Sequence, residues 1–361
     1  MAQRYQASYL HVMTRQLFEA AGTPTHIAEV IAETLVGANV AGHDSHGILR
    51  IPTYLELIEK EGIDPAAEPE IVRETDTTVI FDGNNGSGLY TARKAVELAI
   101  EKAKKNELCR VSIRNNHHIG RLGQWAEIAA HAGCIGWIST GGGGGKRKVG
   151  IRGGGTLPYG GREGKLGTNP IAIGVPTGDD TPFVLDYATT MIAGGKTAFA
   201  ESKDADLPEG TIVDKDGNPS VKVSDLTEGG NMLGFGLHKG YALSLFTCLL
   251  GGLSGNFDPE QGTMGGTYVQ VTDVNSFIPL EEYQVGVRGF LDSIKETPPA
   301  EGFTEVLVPG DYEQNSRRER LEMGVEVWPK TVDRIQEWAD KLEVTTGENL
   351  VVPAQDEAKY Q

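Results

Sequence analysis

The sequence predicts an α/β protein, and three observations carry that expectation. Helical periodicity dominates the first 60 residues, the middle of the chain alternates short β-rich runs with helical runs, and 48 of 361 residues are glycine, roughly twice the usual ~7%. Such alternation layers helices against a sheet, whose strand direction it leaves open. A chain of 361 residues with 39% hydrophobic content can bury a large core, and its length suggests two or three domains.

Residues 5–21 and 24–41 are periodic, the second run opening with Thr23 as N-cap and Pro24 at the first helical position. Ile27, Ile31, Leu35 and Ala38 fall on one face of it, so the two runs read as a packed helical hairpin. Gly42-His43-Asp44-Ser45-His46-Gly47 follows, then a helical run at 48–60 that Gly62 stops. Strands are expected at 77–81, 110–114 and 135–139, with helices at 88–105 and 122–132 between them. The glycine-rich stretch 140–167 reads as loop and turn, and its basic cluster Lys146, Arg147, Lys148 suits either a phosphate contact or plain solvation. Strands at 171–175 and 183–187, a polar excursion at 203–230, an apolar helix at 240–253 and a terminal helix at 331–342 complete the reading. There is no fixed-period repeat.

A formal charge of −17 opposes nucleic-acid backbones and anionic membranes as partners, so an anionic ligand must meet a local basic pocket. Cys109, Cys134 and Cys248 lie far apart in apolar surroundings, with no Cys-x-x-Cys pair, and read as core thiols of a reducing compartment. With no cationic start leading into an apolar run, a cytoplasmic enzyme is the expectation.

Familiar motifs fail. Gly83-Asn84-Asn85-Gly86-Ser87-Gly88 lies between a strand and a helix, but its spacing is G-x-x-G-x-G, not the dinucleotide-binding G-x-G-x-x-G. The run 141–145 before Lys146 resembles a phosphate-binding loop only superficially, since Thr140 holds the leading glycine position and Arg147 the required Ser or Thr. His43, Asp44, His46, His117, His118 and Asp186 offer nitrogen and oxygen ligands, yet none forms an H-E-x-x-H frame, and no metal is expected.

What remains is a spacing. If Ser45 or Asp44 caps a helix beginning near His46, then His46, Arg50 and Tyr54 recur every four residues on one face. That set suits an acid with a reducible carbonyl: a guanidinium for the carboxylate and an imidazole for the developing alkoxide. The plainer alternative is a capped helix with an ordinary buried histidine and a surface arginine.

The string 42–54, GHDSHGILRIPTY, resembles the N-terminal signature of the type-2 malate/L-lactate dehydrogenase family, which includes ureidoglycolate and sulfolactate dehydrogenases, diketogulonate reductases and piperideine-2-carboxylate reductases. Further similar motifs follow in order: 62–65 (GIDP), 81–86 (FDGNNG), 116–123 (NHHIGRLG), 166–170 (LGTNP), 184–190 (VLDYATT), 207–210 (LPEG), 238–241 (HKGY) and 308–310 (VPG). The resemblance implies a non-Rossmann cofactor domain with a largely antiparallel sheet, plus a helical α/β domain built from both chain ends, in a homodimer. It places the first domain at 1–75, the cofactor domain at 76–300 and the returning part at 301–361. It implies an NAD(P)-dependent oxidoreductase that reduces a 2-oxo acid, or a cyclic imine carboxylate, or oxidises the 2-hydroxy acid.

By motif position His46 is similar to the family's proton donor, Ser45 and Asp186 to its hydrogen-bonded relay, Arg50 to the carboxylate clamp, and Tyr54 stands beside the substrate. His118 is the second candidate acid/base. Residues similar to cofactor contacts are His118, Ile119, Gly120, Arg121 and Leu122, the Pro176-Thr177-Gly178 turn, Lys239 with Gly240, and Pro309-Gly310. The sequence departs from the family in two places: 141–155 replaces a shorter apolar, proline-containing stretch, and Thr190 stands where relatives have serine. NAD against NADP stays open. The rival readings are a metal-dependent hydrolase or lyase using the same histidines, and a ligand-binding protein on a degenerate scaffold.

Overall fold

The computed structural model describes residues 3–145, 155–203, 205–346 and 360; the cluster Lys146, Arg147, Lys148 lies outside them. The chain opens with β1 (Gln3–Tyr5), α1 (Ala7–Ala20) and α2 (Thr25–Val40), then two single-turn 3₁₀ segments, Asp44–His46 and Ile48–Arg50, that lead into α3 (Ile51–Glu59). Thr23 does not cap α2. Pro24, with ψ of 144°, takes the N-cap position, while the Thr23 amide closes the end of α1 on the Phe18 carbonyl.

The middle builds β2 (Glu70–Glu74), β3 (Thr78–Asp82), α4 (Gly88–Asn106), β4 (Leu108–Arg114), α5 (Leu122–His131), β5 (Cys134–Gly144), β6 (Ile171–Val175) and β7 (Phe183–Tyr187). An excursion follows with α6 (Gly194–Ser202), β8 (Ile212–Val213), β9 (Pro219–Ser220), α7 (Val223–Thr227) and β10 (Asn231–Met232). The chain then returns through α8 (His238–Gly251), β11 (Phe257–Asp258) and β12 (Thr263–Asp273), and ends in α9 (Leu280–Lys295), α10 (Asp311–Met323), β13 (Val325–Val327) and α11 (Pro329–Lys341).

The main sheet runs β2-β3-β4-β12-β5-β6-β7, with β11 beside β12. It is largely antiparallel: β3 and β4 alone pair in parallel, joined over the sheet by α4. This is a mixed α/β sheet rather than a doubly wound one, which is why the glycines at 83–88 do not form a phosphate turn. A side chain on Gly88 would sit 2.3–2.4 Å from the His117 and His118 carbonyls, so that glycine lets α4 start against the 115–118 loop.

The stretch from Thr140 to Gly144, expected as loop, continues strand β5 and pairs with Thr263–Thr267 of β12. Glycines carry no side-chain alternation, so the period of a strand is invisible there. Their role is clearance: a Cβ on Gly141 would meet Cys248 N and Thr247 C at 2.7 Å, because α8 lies directly on this strand.

Three apolar clusters form the core. One joins α1, α2 and α3 to Val325, Val327, Ile335, Ala339 and Tyr360 from the other end of the chain. A second fills the sheet under α4 and α5 around the fully buried Trp125, and a small third lies within the excursion. The ends are also tied by β1 pairing with β13. Helix α9 buries none of its residues and presents Val285, Phe290 and Ile294 to the exterior.

Candidate active site

The link between α2 and α3 is where the expected constellation lies, and it is not a continuous helix. Gly47, at ψ −151°, separates the two 3₁₀ turns, so His46, Arg50 and Tyr54 do not share one α-helical face, and neither Ser45 nor Asp44 caps a helix with its side chain. The break has a cause. Asn39 from the last turn of α2 accepts the Ile48 amide at 2.8 Å on its Oδ1, and a Cβ on Gly47 would fall 2.0 Å from that oxygen. Asp44 is spent on a clamp, accepting from Asn39 Nδ2 at 2.7 Å and from both Arg320 nitrogens at 2.5 and 3.0 Å.

The side chains nevertheless converge. Ser45 Oγ is hydrogen-bonded to His46 Nδ1 at 3.0 Å, and Arg50 Nε donates to the Ser45 carbonyl at 2.8 Å. His46 and His118 stack with ring centroids 5.6 Å apart and planes 19° apart. The Gly120 amide donates to His118 Nδ1 at 3.3 Å; an amide can only donate, so Nδ1 carries a lone pair. The Tyr54 hydroxyl, 2.5 Å from the same atom, therefore donates as well, and the ring proton of His118 sits on Nε2.

Burial, the facing His118 and the Arg50 guanidinium together hold the His46 pKa well below the ordinary imidazole value. Desolvation, then Arg50, push His118 down too. Both imidazoles are neutral bases at pH 7. Burial raises the Tyr54 phenol to about 12 against a small opposing pull from Arg50, so it remains a donor.

These groups line a cavity of about 380 Å³ whose wall includes Ser45, His46, Arg50, His118, Gly120, Arg121, Leu122 and Asp186. Burial raises the Asp186 carboxyl, while Arg121 and the Gly123 amide, which donates to Oδ2 at 2.7 Å, pull it back. Asp186 is thus in the cavity with His46, but it accepts from the start of α5 rather than from the Ser45–His46 pair. Arg121 and Arg317 each donate to Glu127 Oε2 at 2.7 Å. Burial would raise Glu127, but the two guanidinium groups outweigh it and hold the carboxyl at about 2.

Not every expected contact reaches this cavity. Tyr54 is not on its wall but hydrogen-bonds His118 and lines a separate small cavity with it, and Ile119 is buried with its carbonyl accepting from Trp125 Nε1. Gly240 backs onto the Thr189 carbonyl, one residue from lining Thr190, whereas Lys239 is exposed. The 176–178 and 309–310 turns gather elsewhere, around Pro182: Thr177 Oγ1 donates to Thr181 O, and the Val184 amide to Pro309 O. Sequence reasoning missed Thr168, Met191, Gly195 and Lys196 on the cavity wall. It also missed the α10 row Glu313, Arg317, Arg320, which binds His43, Glu127 and Asp44; its spacing of four and three residues was the available signal. Among the described residues no group of three or more His, Cys, Asp or Glu is arranged to hold a metal ion, and no helix is long and apolar enough to cross a membrane.

Comparison with known proteins agrees with this architecture. The sequence profile of malate/L-lactate dehydrogenase matches residues 5–336. Hydroxycarboxylate dehydrogenase B of Escherichia coli O157:H7 is 35% identical over 334 residues, covering 89% of this chain and 90% of that one. L-sulfolactate dehydrogenase of Methanocaldococcus jannaschii is 35% identical over 330 residues, covering 89% and 92%. The crystal structure of malate dehydrogenase from Entamoeba histolytica superposes with a TM-score of 0.88 at 26% identity over 96% of this chain and 99% of that one. With the resemblance extending over the sheet, both chain ends and the segment that carries His46 and Arg50, the chain belongs to the malate/L-lactate dehydrogenase family and is an oxidoreductase of the hydroxy-acid dehydrogenase type.

Proposed function

We propose that the chain interconverts a 2-hydroxy acid and its 2-oxo acid with NAD or NADP, and that the cavity between Arg50, His46, His118 and Asp186 is where it does so. The carrying observation is a guanidinium beside two neutral stacked imidazoles in one cavity of an acidic protein. Arg50 takes the substrate carboxylate. His46, oriented by Ser45, takes the hydroxyl proton in oxidation and returns it in reduction; His118 is the second candidate for the proton-donating half of that role, its Nε2–H set by Tyr54 and Gly120 on Nδ1. Asp186 favours the protonated form of the pair by attraction.

A dinucleotide fits the donor set: the backbone of Gly194 and Gly195 at the start of α6, with Lys196, lines the same cavity and offers a cation and amide donors to phosphate oxygens. We assign its contacts to His118, Gly120, Arg121 and Leu122, with Lys239–Gly240, 176–178 and 309–310 as more distant contributors. When bound, the nicotinamide would supply the hydride to the 2-carbon. The apolar exposed faces of α8 (Leu245, Phe246, Leu249) and α9 support a homodimer that covers them, and the core clusters support a division at 1–75, 76–300 and 301–361. The acidic surface and buried thiols support a cytoplasmic enzyme.

The test is a panel of 2-oxo acids and one cyclic imine carboxylate, each with NADH and NADPH in the presence of EDTA. Oxidation of either nicotinamide dependent on a 2-oxo acid is expected. Stoichiometric zinc with no nicotinamide binding would overturn the reading.

A further inference from the structure

We propose that Tyr54 is a positioning residue that, through His118, gives the two stacked imidazoles different jobs: His46 alone exchanges the proton, and His118 is a fixed hydrogen-bond donor to the substrate's 2-oxygen. This rests on the hydroxy-acid function proposed above and narrows its two histidine candidates to one. The difference lies in what each Nδ1 meets. His46 Nδ1 meets the Ser45 hydroxyl at 3.0 Å, which donates or accepts by rotating its proton, so His46 keeps a partner whether neutral or protonated. His118 Nδ1 meets the Gly120 amide at 3.3 Å and the Tyr54 hydroxyl at 2.5 Å. The amide cannot accept, so a proton arriving at this nitrogen would confront another N–H.

Release of a proton from His118 is closed as well. To give up its Nε2 proton the ring has to take the Tyr54 proton on Nδ1 in exchange, leaving a phenolate in a buried site where the phenol titrates only at about 12. Tyr54 and His118 share a cavity of about 20 Å³ walled mainly by Phe18, Ile31, Ile58, Ile63 and Leu89, with room for one water at most and not for the chain that would resupply a proton. Arg50 nearby and His46 stacked on the ring oppose a cation there. With Nδ1 committed, Nε2–H is the polar group that His118 offers to the main cavity, whose wall it forms with His46. In oxidation, His46 takes the hydroxyl proton as the 2-carbon releases hydride to the nicotinamide. His118 keeps its own proton and holds the same oxygen, where charge develops; reduction reverses these steps.

The experiment reads the His118 ring directly. In enzyme labelled with nitrogen-15 histidine, with His118→Gln identifying the resonances, Nε2 is expected to be protonated and Nδ1 bare, and Tyr54→Phe to draw the two shifts together as the other tautomer is populated. Thermal unfolding verifies that the variants fold. A proton on Nδ1 in the wild type, or ring shifts unmoved by Tyr54→Phe, overturns the assignment. Kinetics with a 2-oxo acid supply the second readout. Gln offers an amide N–H near the place of Nε2 but holds no ring proton to pass. His118→Gln is therefore expected to keep kcat within about 10-fold of wild type, whereas His118→Ala loses roughly 100-fold or more. Tyr54→Phe lowers kcat about 3- to 10-fold with the cofactor KM unchanged, and has no further effect in His118→Gln. A loss in His118→Gln as deep as in His118→Ala, or a Tyr54→Phe effect that persists in full beside His118→Gln, overturns the division of roles. If no 2-oxo acid is reduced with either nicotinamide, the redox function falls and the donor role with it, while the ring shifts still uphold or overturn Tyr54 as the group that positions His118.

Discussion

His46 and His118 stack within reach of Arg50, and burial, reinforced by these neighbours, keeps both neutral. A histidine held neutral in the fold takes up a proton on unfolding, so it leaves stability unchanged well above pH 6.5 and subtracts from it as the pH falls below that unfolded value. The denaturant midpoint is expected to drop between pH 7 and pH 5, and His46→Gln to flatten the drop; an unchanged slope in that variant would remove His46 as its source. The same shift governs catalysis. A neutral imidazole is ready as a base, so oxidation should stay level down through the ordinary imidazole value of about 6.5 and decline only at lower pH, with reduction improving over that same lower range. His46→Ala is expected to cut turnover about 10²- to 10⁴-fold with dinucleotide binding intact, and Arg50→Ala mainly to raise the substrate KM. Full activity in His46→Ala with loss in His118→Ala would exchange the two roles. The 45–50 segment stood out because an arginine and a histidine four apart beside a Ser suit an acid substrate, although spacing alone left an ordinary capped helix open, and Asp186 was reached only through the motif resemblance. The Arg121–Glu127–Arg317 contact was not legible, since only the meeting of α5 with α10 brings Glu127 to Arg317.

At the scale of elements, the helices of the first 132 residues and those expected at 240–253 and 331–342 were read almost to their ends, because periodicity, Pro24 and Gly62 mark them locally, whereas α6, α7, α9 and α10 were not read as helices. Two errors have one origin: glycine hides its backbone. Gly47 breaks what spacing presented as a single helix, and the glycines at 141–144 carry a strand without the alternation that reveals one. The latter gives a paired test. Gly141→Ala forces α8 away from β5 and should cost at least about 1–3 kcal/mol in urea unfolding. Gly142→Ala, whose Cβ would meet nothing within 4 Å, should stay within about 0.5 kcal/mol. Equal losses would show that strand propensity, not the approach of α8, selects these glycines.

Across the whole molecule, the segment that bears His46 is held from behind by a helix far along the chain. Arg320 reaches Asp44 and the Asn39 carbonyl, Glu313 reaches His43, and Arg317 shares Glu127 with Arg121. Sequence could not announce this, because it says nothing of which residues 270 or more positions apart will meet. Arg320→Met should strip charge-assisted bonds from a partly buried carboxylate and cost about 1.5–3 kcal/mol, with kcat falling more than dinucleotide affinity; a stability loss without a kinetic one would reduce α10 to scaffolding.

The clamp also sets a schedule. Asp44 leaves the ribosome 276 residues before the arginine that holds it, which at ordinary elongation rates is roughly 15 to 55 seconds. Throughout that interval the nascent hairpin of α1 and α2 can assemble, while the loop bearing Ser45 and His46 waits without its brace. The brace of the proposed site therefore arrives with one of the last segments made, and a chain cut short before α10 would leave His43 and Asp44 without it.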